Sequence, residues 1–143
     1  MTDIARANLK RAIVTRLDSI ADEHRLGHQA AYANRYKMRS HHDAPIELMF
    51  EKHPDTEPHL WVLTAQVASI PEGTLVAEPY SKADLYKTSA KGGGKQYGRH
   101  SALKDMGMLG KADLVRFTLR SMADLDVVLS AVMQTQRQGR RSE

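Results

Sequence analysis

The stretch that decides the fold is residues 113–133, DLVRFTLRSMADLDVVLSAVM. Its first seven residues, DLVRFTL, have the composition of a strand. Ser121, followed three positions later by Asp124, is a helix start signal that resembles a capping box. The apolar residues then recur at helical spacing, at Met122, Leu125, Leu129 and Val132 or Met133. A strand followed directly by an amphipathic helix indicates a sheet that this helix covers on one face.

Upstream of this stretch, the amino-terminal segment predicts a long first helix. Thr2 is a suitable amino cap, and Gly27 suits the left-handed residue that follows a helix. The apolar stripe between them consists of Ile4, Leu9, Ile13, Leu17, Ile20 and His24. The alanine-rich residues 28–40 predict a short second helix.

The middle of the chain has strand-like runs separated by turn signals. Strands are predicted at residues 46–51, 60–67, 74–77 and 83–88, and a short helix at residues 99–106. Trp61 is expected to be half buried against a helix. The prediction is one α+β domain over residues 1–136, with a small, mostly antiparallel β-sheet packed against N-terminal and C-terminal helices. Residues 137–143 lack an apolar period and are predicted to form a disordered basic tail.

Composition excludes several kinds of chemistry. The 143 residues include no cysteine, which excludes disulfides, thiolate metal sites and a cysteine nucleophile. No apolar run approaches the roughly 20 residues that a transmembrane helix needs. These features predict a cytoplasmic protein that has no membrane partner.

Positive charge is concentrated in one part of the chain. The formal net charge is +4, but residues 79–120 carry nine Lys or Arg against three Asp or Glu. Residues 46–78 carry one Lys against six Asp or Glu. The basic part therefore predicts an anionic partner.

The basic part is densest in residues 80–105, YSKADLYKTSAKGGGKQYGRHSALKD, where aromatic rings and glycines alternate with cations. The predicted phosphate-binding residues are Lys82, Lys87, Lys91, Gly93, Lys95, Arg99 and Lys104. Tyr86 or Tyr97 is predicted to stack on bases. The leading hypothesis is a non-enzymatic nucleic-acid-binding protein of a bacterium or its mobile elements, with DNA and RNA both open as the ligand.

Two other hypotheses belong to different classes. The turn at Gly92, Gly93 and Gly94 could bind the phosphate of a nucleotide or an acyl-CoA in an enzyme. This turn resembles the pyrophosphate loop of GNAT acetyltransferases, and two leading helices followed by a meander resemble the order of elements in that family. The first strand and the last two strands of that fold are missing. Alternatively, the basic stretch could dock on an acidic protein surface in an inhibitor or adaptor.

Catalytic and metal-binding signals are weaker. His100, beside Arg99, is a candidate general acid or base, although a metal-independent ribonuclease normally needs a second histidine or carboxylate. His41, His42, Asp43, His53 and His59 match no standard zinc spacing, so neither a metal nor a cofactor is predicted. Glu47 and Glu51 have the same strand parity, and with Glu78 they are expected on a solvated outer face.

Overall fold

The computed structural model of the protein describes residues 2–38, 46–88 and 95–141. The elements in chain order are α1 (Asp3–Ile20), β1 (Ala21–Glu23), β2 (Ala33–Met38), β3 (Ile46–Glu51), β4 (His59–Leu63), β5 (Val76–Tyr80), β6 (Tyr86–Thr88), β7 (Lys95–Tyr97), β8 (Leu114–Thr118) and α2 (Met122–Arg141). Short 3-10 turns at Thr64–Gln66, Lys82–Asp84 and Ser101–Leu103 connect some of them. Together they confirm the predicted small α+β domain.

Six strands form an antiparallel sheet in the order β1-β2-β3-β4-β8-β5. Strand β8 lies between β4 and β5, so that Trp61 is opposite Arg116 and Arg116 is opposite Glu78. The late strand predicted at residues 113–119 is therefore an interior strand of the sheet, next to the edge strand β5. Among the strands that the structure describes, β6 and β7 pair with each other and not with the six-stranded sheet, so they form a separate two-stranded ribbon.

Helix α1 starts as its sequence predicts and ends earlier. The side chain of Thr2 accepts a hydrogen bond from the Ala5 amide at 3.1 Å, which confirms the amino cap. The helix ends at Ile20, and His24 lies beyond β1, where its amide donates to the carbonyl of Arg35. Gly27 has φ +79, the left-handed conformation expected of it, but it serves the turn between β1 and β2.

The prediction of a second helix in residues 28–40 is wrong. Residues 33–38 form β2, and all six of them pair with β3, from Ala33 opposite Glu51 to Met38 opposite Ile46. The side chains of Ala33, Tyr36 and Met38 are buried by this pairing. Alanine content favours a helix only weakly, and long-range strand pairing with burial outweighs it here. Residues 39–45, including His41, His42 and Asp43, lie outside the described residues.

One face of the sheet packs against α1 and α2. Helix α2 begins as predicted: the Asp124 amide donates to Ser121 Oγ at 3.2 Å, and the Asp124 carboxylate accepts from the Arg120 amide at 2.8 Å. The core on this face contains Ile13 and Leu17 of α1, Leu48, Phe50, Leu60, Val62 and Phe117 of the sheet, and Leu125, Val128, Leu129 and Val132 of α2. Burial of these side chains is the main driving force for the layered arrangement.

Residues 97–112, which we name the covering segment, lie over the opposite face. Their buried side chains, Ala102, Leu103, Met106 and Leu109, pack against Met49, Trp61 and Leu114 of the sheet. The segment has a 3-10 turn at Ser101–Leu103 in place of the short helix predicted for residues 99–106. Trp61 is fully buried, and its ring lies 4.7 Å from that of Tyr80, so the expectation of half burial against a helix is wrong.

Four boundaries also differ from the predictions. The strand predicted at residues 60–67 is β4, which ends at Leu63 because Thr64–Gln66 form a 3-10 turn. The strand predicted at residues 74–77 is β5, Val76–Tyr80, which is displaced toward the carboxyl terminus. The strand predicted at residues 83–88 is reduced to β6, Tyr86–Thr88, because Lys82–Asp84 form a 3-10 turn. Helix α2 continues to Arg141, into residues 137–143. The disorder of this tail and the domain limits of residues 1–136 stay predictions.

Candidate functional site

The predicted binding stretch forms the ribbon of β6 and β7 together with its flanks. Tyr86 is opposite Tyr97, Lys87 is opposite Gln96, and Thr88 is opposite Lys95. The amide of Gly98 extends the ladder by donating to the carbonyl of Leu85 at 2.8 Å. This pairing brings the backbones of Lys87 and Lys95 close together. Residues 89–94, with Lys91, Gly93 and the rest of the glycine turn, lie outside the described residues.

The other cations of the predicted set occupy different environments. Lys82 and Lys104 are exposed, on either side of the ribbon in the chain. Arg99 is only 7% exposed, and its guanidinium donates to the carbonyl of Tyr80 at 2.9 Å and to that of Leu109 at 3.5 Å. Arg99 therefore joins the start of the basic stretch to the covering segment, a structural role that the sequence analysis does not predict.

The two tyrosines of the ribbon are not equivalent. Tyr97 is partly buried, and its hydroxyl donates to the carbonyl of Gly110 at 2.6 Å. Burial raises the pKa of this hydroxyl. Tyr86 is 51% exposed and meets the ring of Tyr97 edge-on at 6.0 Å. Of this pair, Tyr86 is the more exposed ring.

A second group of polar side chains lies on the sheet face beneath the covering segment, centred on Glu51. Glu51 is 6% exposed, and its Oε2 lies 2.8 Å from the indole nitrogen of Trp61 and 3.1 Å from Nδ1 of His59. Its Oε1 lies 4.0 Å from Nε2 of His100. Burial alone would raise the pKa of Glu51, but hydrogen bonds from His59 and Trp61 outweigh burial and lower it. Glu51 is thus an ionised carboxylate in the protein interior.

The hydrogen bonds around the two imidazoles fix their orientation. Nδ1 of His59 faces the Glu51 carboxylate, which makes this nitrogen the donor. Nδ1 of His100 accepts from the Ala102 amide at 3.1 Å, which leaves the proton of the neutral ring on Nε2. Burial lowers the pKa of His100, and the positive charge of Arg35 acts in the same direction, whereas the charge of Glu51 opposes it. His100 is therefore neutral near pH 7.

Glu47 attaches the covering segment to the sheet. Its Oε1 accepts from the amides of Met108 at 2.7 Å and Leu109 at 3.0 Å, and its Oε2 lies 2.5 Å from Nε2 of His24. Glu47 is 6% exposed. The carboxylate satisfies two backbone donors that burial would otherwise leave without partners.

The expectation that Glu47 and Glu51 lie on a solvated outer face is therefore wrong, although their predicted common face is confirmed. Both point beneath the covering segment, whereas the Glu78 carboxylate is half exposed and pairs with Arg116 at 2.5 Å. The sequence held one signal for this burial. Glu47 and Glu51 flank Met49 at strand spacing, and an apolar residue between two glutamates of the same parity indicates a face that is not fully solvated.

Arg116 lies at the edge of the Glu51 cluster. Its guanidinium carbon lies 5.8 Å from the centroid of the Trp61 ring and 5.5 Å from that of Tyr80. A cation over two aromatic faces holds the rings in place. Arg116 therefore helps to orient the indole N–H of Trp61, which donates to the Glu51 carboxylate.

Within residues 2–38, 46–88 and 95–141, no group of three or more His, Asp or Glu side chains has the arrangement of a metal site. None of the helices in the described part of the chain combines the length and the apolar character that crossing a bilayer requires. No known protein family, no curated protein and no solved structure matches this chain.

Proposed function

We propose that this protein binds nucleic acid through the β6–β7 ribbon and its basic flanks, residues 80–105. The observation that carries the proposal is the ribbon itself: a two-stranded element separate from the six-stranded sheet, with the half-exposed ring of Tyr86, in a stretch of sequence rich in lysine. The phosphate contacts are assigned to Lys82, Lys87, Lys91, Lys95 and Lys104, with the backbone at Gly93. Arg99 is left out of this set because its guanidinium is buried and bonded to carbonyls.

The charge of the region supports an anionic ligand. Residues 79–120 have a balance of +6, from nine basic and three acidic residues. One of these cations, Arg116, is paired with Glu78, whereas Lys82, Lys104 and Lys111 are exposed. Lysines that reach phosphates release counterions from the nucleic acid, which gives affinity without sequence preference.

The shape of the region supports nucleic acid in particular. An exposed aromatic ring next to cations is the usual way in which proteins hold a single strand, since every base has a face on which to stack. A two-stranded ribbon also fits the major groove of a duplex. Tyr86 is the stacking residue in this proposal, and Tyr97 supports its ring from the side.

The test of this proposal compares two tyrosines of similar exposure. Tyr86→Ala is expected to weaken binding to single-stranded DNA or RNA by roughly 5- to 100-fold, the equivalent of about 1–3 kcal/mol for one stacked base. Tyr32 is 57% exposed, stacks on His53 and lies outside residues 80–105, so Tyr32→Ala is the matched control and should bind as the wild type does. Fluorescence anisotropy with short labelled strands at low salt measures both. Equal affinities for wild type and Tyr86→Ala would refute the assignment.

Two other outcomes lead to the remaining hypotheses. Thermal stabilisation by a nucleotide or an acyl-CoA, without binding of nucleic acid, would favour an enzyme that uses Gly92, Gly93 and Gly94, although this turn lies outside the described residues. The second helix on which the resemblance to GNAT acetyltransferases partly rests is strand β2, which weakens that alternative. Co-purification of a defined protein after nuclease treatment would favour the inhibitor or adaptor.

A further inference from the structure

We propose that His59 and His100 form a catalytic site that cleaves RNA by attack of a ribose 2′-hydroxyl on the adjacent phosphodiester. This inference rests on the proposed function, because the ribbon would deliver the strand. It goes beyond that function in assigning a reaction, a substrate class and two catalytic residues. A metal-independent ribonuclease normally needs a second histidine or carboxylate besides His100, and His59 of β4 meets this need.

His59 has the features of a general base. Its Nδ1 is held by the ionised Glu51, which leaves Nε2 as the basic nitrogen of the neutral ring. Glu51 is itself held by the Trp61 indole, so the imidazole has a fixed orientation. The His59 side chain is 14% exposed, which leaves part of the ring accessible from the surface. A carboxylate that orients a histidine is the arrangement by which hydrolases activate a hydroxyl.

His100 has the features of a neutral hydrogen-bond donor. Its Nδ1 accepts a hydrogen bond from the Ala102 amide, so the hydrogen of the neutral ring is on Nε2. Nε2 can therefore donate a hydrogen bond to a phosphoryl oxygen. The side chain is 18% exposed and lies across Glu51 from His59. The groups that face His100 are Glu51, His59 and Arg35, and Arg35 is fixed by donating from Nε to the carbonyl of Ala102 at 2.8 Å. A fixed donor of this kind stabilises charge that develops on phosphate oxygens in the transition state.

The site lies where the ribbon joins the rest of the protein. Tyr80, the last residue of β5, contacts the Trp61 ring, and its carbonyl accepts from Arg99. His100 follows Arg99 directly in the chain and lies 4.0 Å from the Glu51 carboxylate. A strand that follows the ribbon past Arg99 would therefore reach His100 first, and then His59 on the other oxygen of Glu51.

The reaction needs no reagent beyond the RNA. Nε2 of His59 takes the proton of the 2′-hydroxyl while the 2′-oxygen forms a bond to phosphorus. The bond between phosphorus and the 5′-oxygen breaks, its electron pair stays on the 5′-oxygen, and the His59 imidazolium returns the proton to that oxygen. The products are a 2′,3′-cyclic phosphate and a 5′-hydroxyl end. During attack, His100 donates from Nε2 to a non-bridging oxygen of the phosphate.

The experiment uses the full chain with a random-sequence pool of single-stranded RNA in EDTA, and the same pool with 2′-O-methyl groups as the control. Cleavage of the RNA to 2′,3′-cyclic phosphate ends, with the 2′-O-methyl pool bound but intact, is the expected result. His59→Asn and His100→Asn are each expected to lower the cleavage rate, on the order of 100-fold or more for His59, with affinity within about twofold of wild type. Two variants are used so that one misfolded protein, recognised by its melting curve, does not decide the result.

Glu51 acts through His59 and is a positioning residue. Glu51→Gln removes the negative charge that faces the rings of His59 and His100. Without this charge the imidazoles are protonated less readily, so the acidic limb of the profile of cleavage rate against pH is expected to move to lower pH. A purely structural role of Glu51 would lower the cleavage rate without moving the acidic limb.

RNA that is bound but not cleaved by the wild-type protein would overturn this inference and leave the proposed function intact, whereas absence of binding to either pool would overturn both. Cleavage that persists in folded His59→Asn and His100→Asn proteins would also overturn it.

Discussion

At the scale of single residues, the most consequential feature is a pair of buried glutamates with different tasks. Glu47 holds the backbone of the covering segment, and Glu51 holds the rings of His59 and Trp61. Strand parity predicts that the two share a face, but it does not show which face is covered. The partners of Glu51 come from β4 and from the covering segment, so only the tertiary structure brings them together.

Removal of the Glu47 carboxylate should destabilise the protein. Glu47→Ala leaves the Met108 and Leu109 amides and His24 without their acceptor, so we expect the free energy of unfolding to fall by about 2–4 kcal/mol. Glu78→Ala is the matched control, since this exposed ion pair should contribute less than about 1 kcal/mol. Urea denaturation measures both. A loss for Glu47→Ala no larger than that of the control would contradict the role assigned to Glu47.

Stability should also fall as the pH is lowered, in two stages. Burial lowers the pKa values of His100 and His28 in the folded protein. As the pH falls below about 6.5, these histidines are therefore protonated in the unfolded chain before they are protonated in the folded protein, and the free energy of unfolding decreases. The pKa of Glu51 is lowered by its hydrogen bonds, so its contribution is present above about 4.3 and is lost as pH falls through the folded-state value. Urea midpoints between pH 8 and pH 2 test both stages. His100→Asn should reduce the first stage, and an unchanged first stage would contradict the burial argument.

At the scale of elements, the sequence predicts best where local signals suffice. The caps at Thr2 and Ser121 locate the starts of α1 and α2, and the run DLVRFTL locates β8. Strand β2 is not predictable in this way because its pairing with β3 outweighs a local preference for helix. The covering segment is missed for a related reason: its apolar side chains lack a period and are buried only against a sheet formed by other parts of the chain.

The backbone conformation of the covering segment requires a residue without a Cβ atom at position 110. A Cβ atom at Gly110 would lie 2.6 Å from the Met106 carbonyl oxygen and 2.8 Å from that of Lys104, both of them backbone atoms. Gly110→Ala should therefore shift the segment and lower the free energy of unfolding by about 1–3 kcal/mol. The nearest atom to a Cβ at Gly107 is 3.9 Å away, which makes Gly107→Ala the control. Similar stabilities of the two variants in urea would contradict this account of the turn.

At the scale of the whole molecule, the two faces of the sheet are covered by different kinds of structure. The helices close one face with an apolar core, and the covering segment closes the other over polar groups, next to the basic ribbon. The segregation of charge along the chain is visible in the sequence alone, and it motivates the prediction of an anionic partner. The meeting of His59 and His100 at Glu51 is not visible there, because no spacing rule links these positions.

The most direct test of the central claim is the salt dependence of binding to short single- and double-stranded DNA and RNA. The proposal predicts that affinity falls steeply with salt. In Lys91→Ala/Lys95→Ala, the slope of log affinity against log salt should decrease by roughly 1.4–1.8, the value for two lost phosphate contacts. Arg25→Ala/Lys37→Ala removes two exposed cations that lie outside residues 80–105 and should keep the wild-type slope. Absence of binding at low salt, or the same slope in the ribbon variant as in wild type, would contradict the proposal.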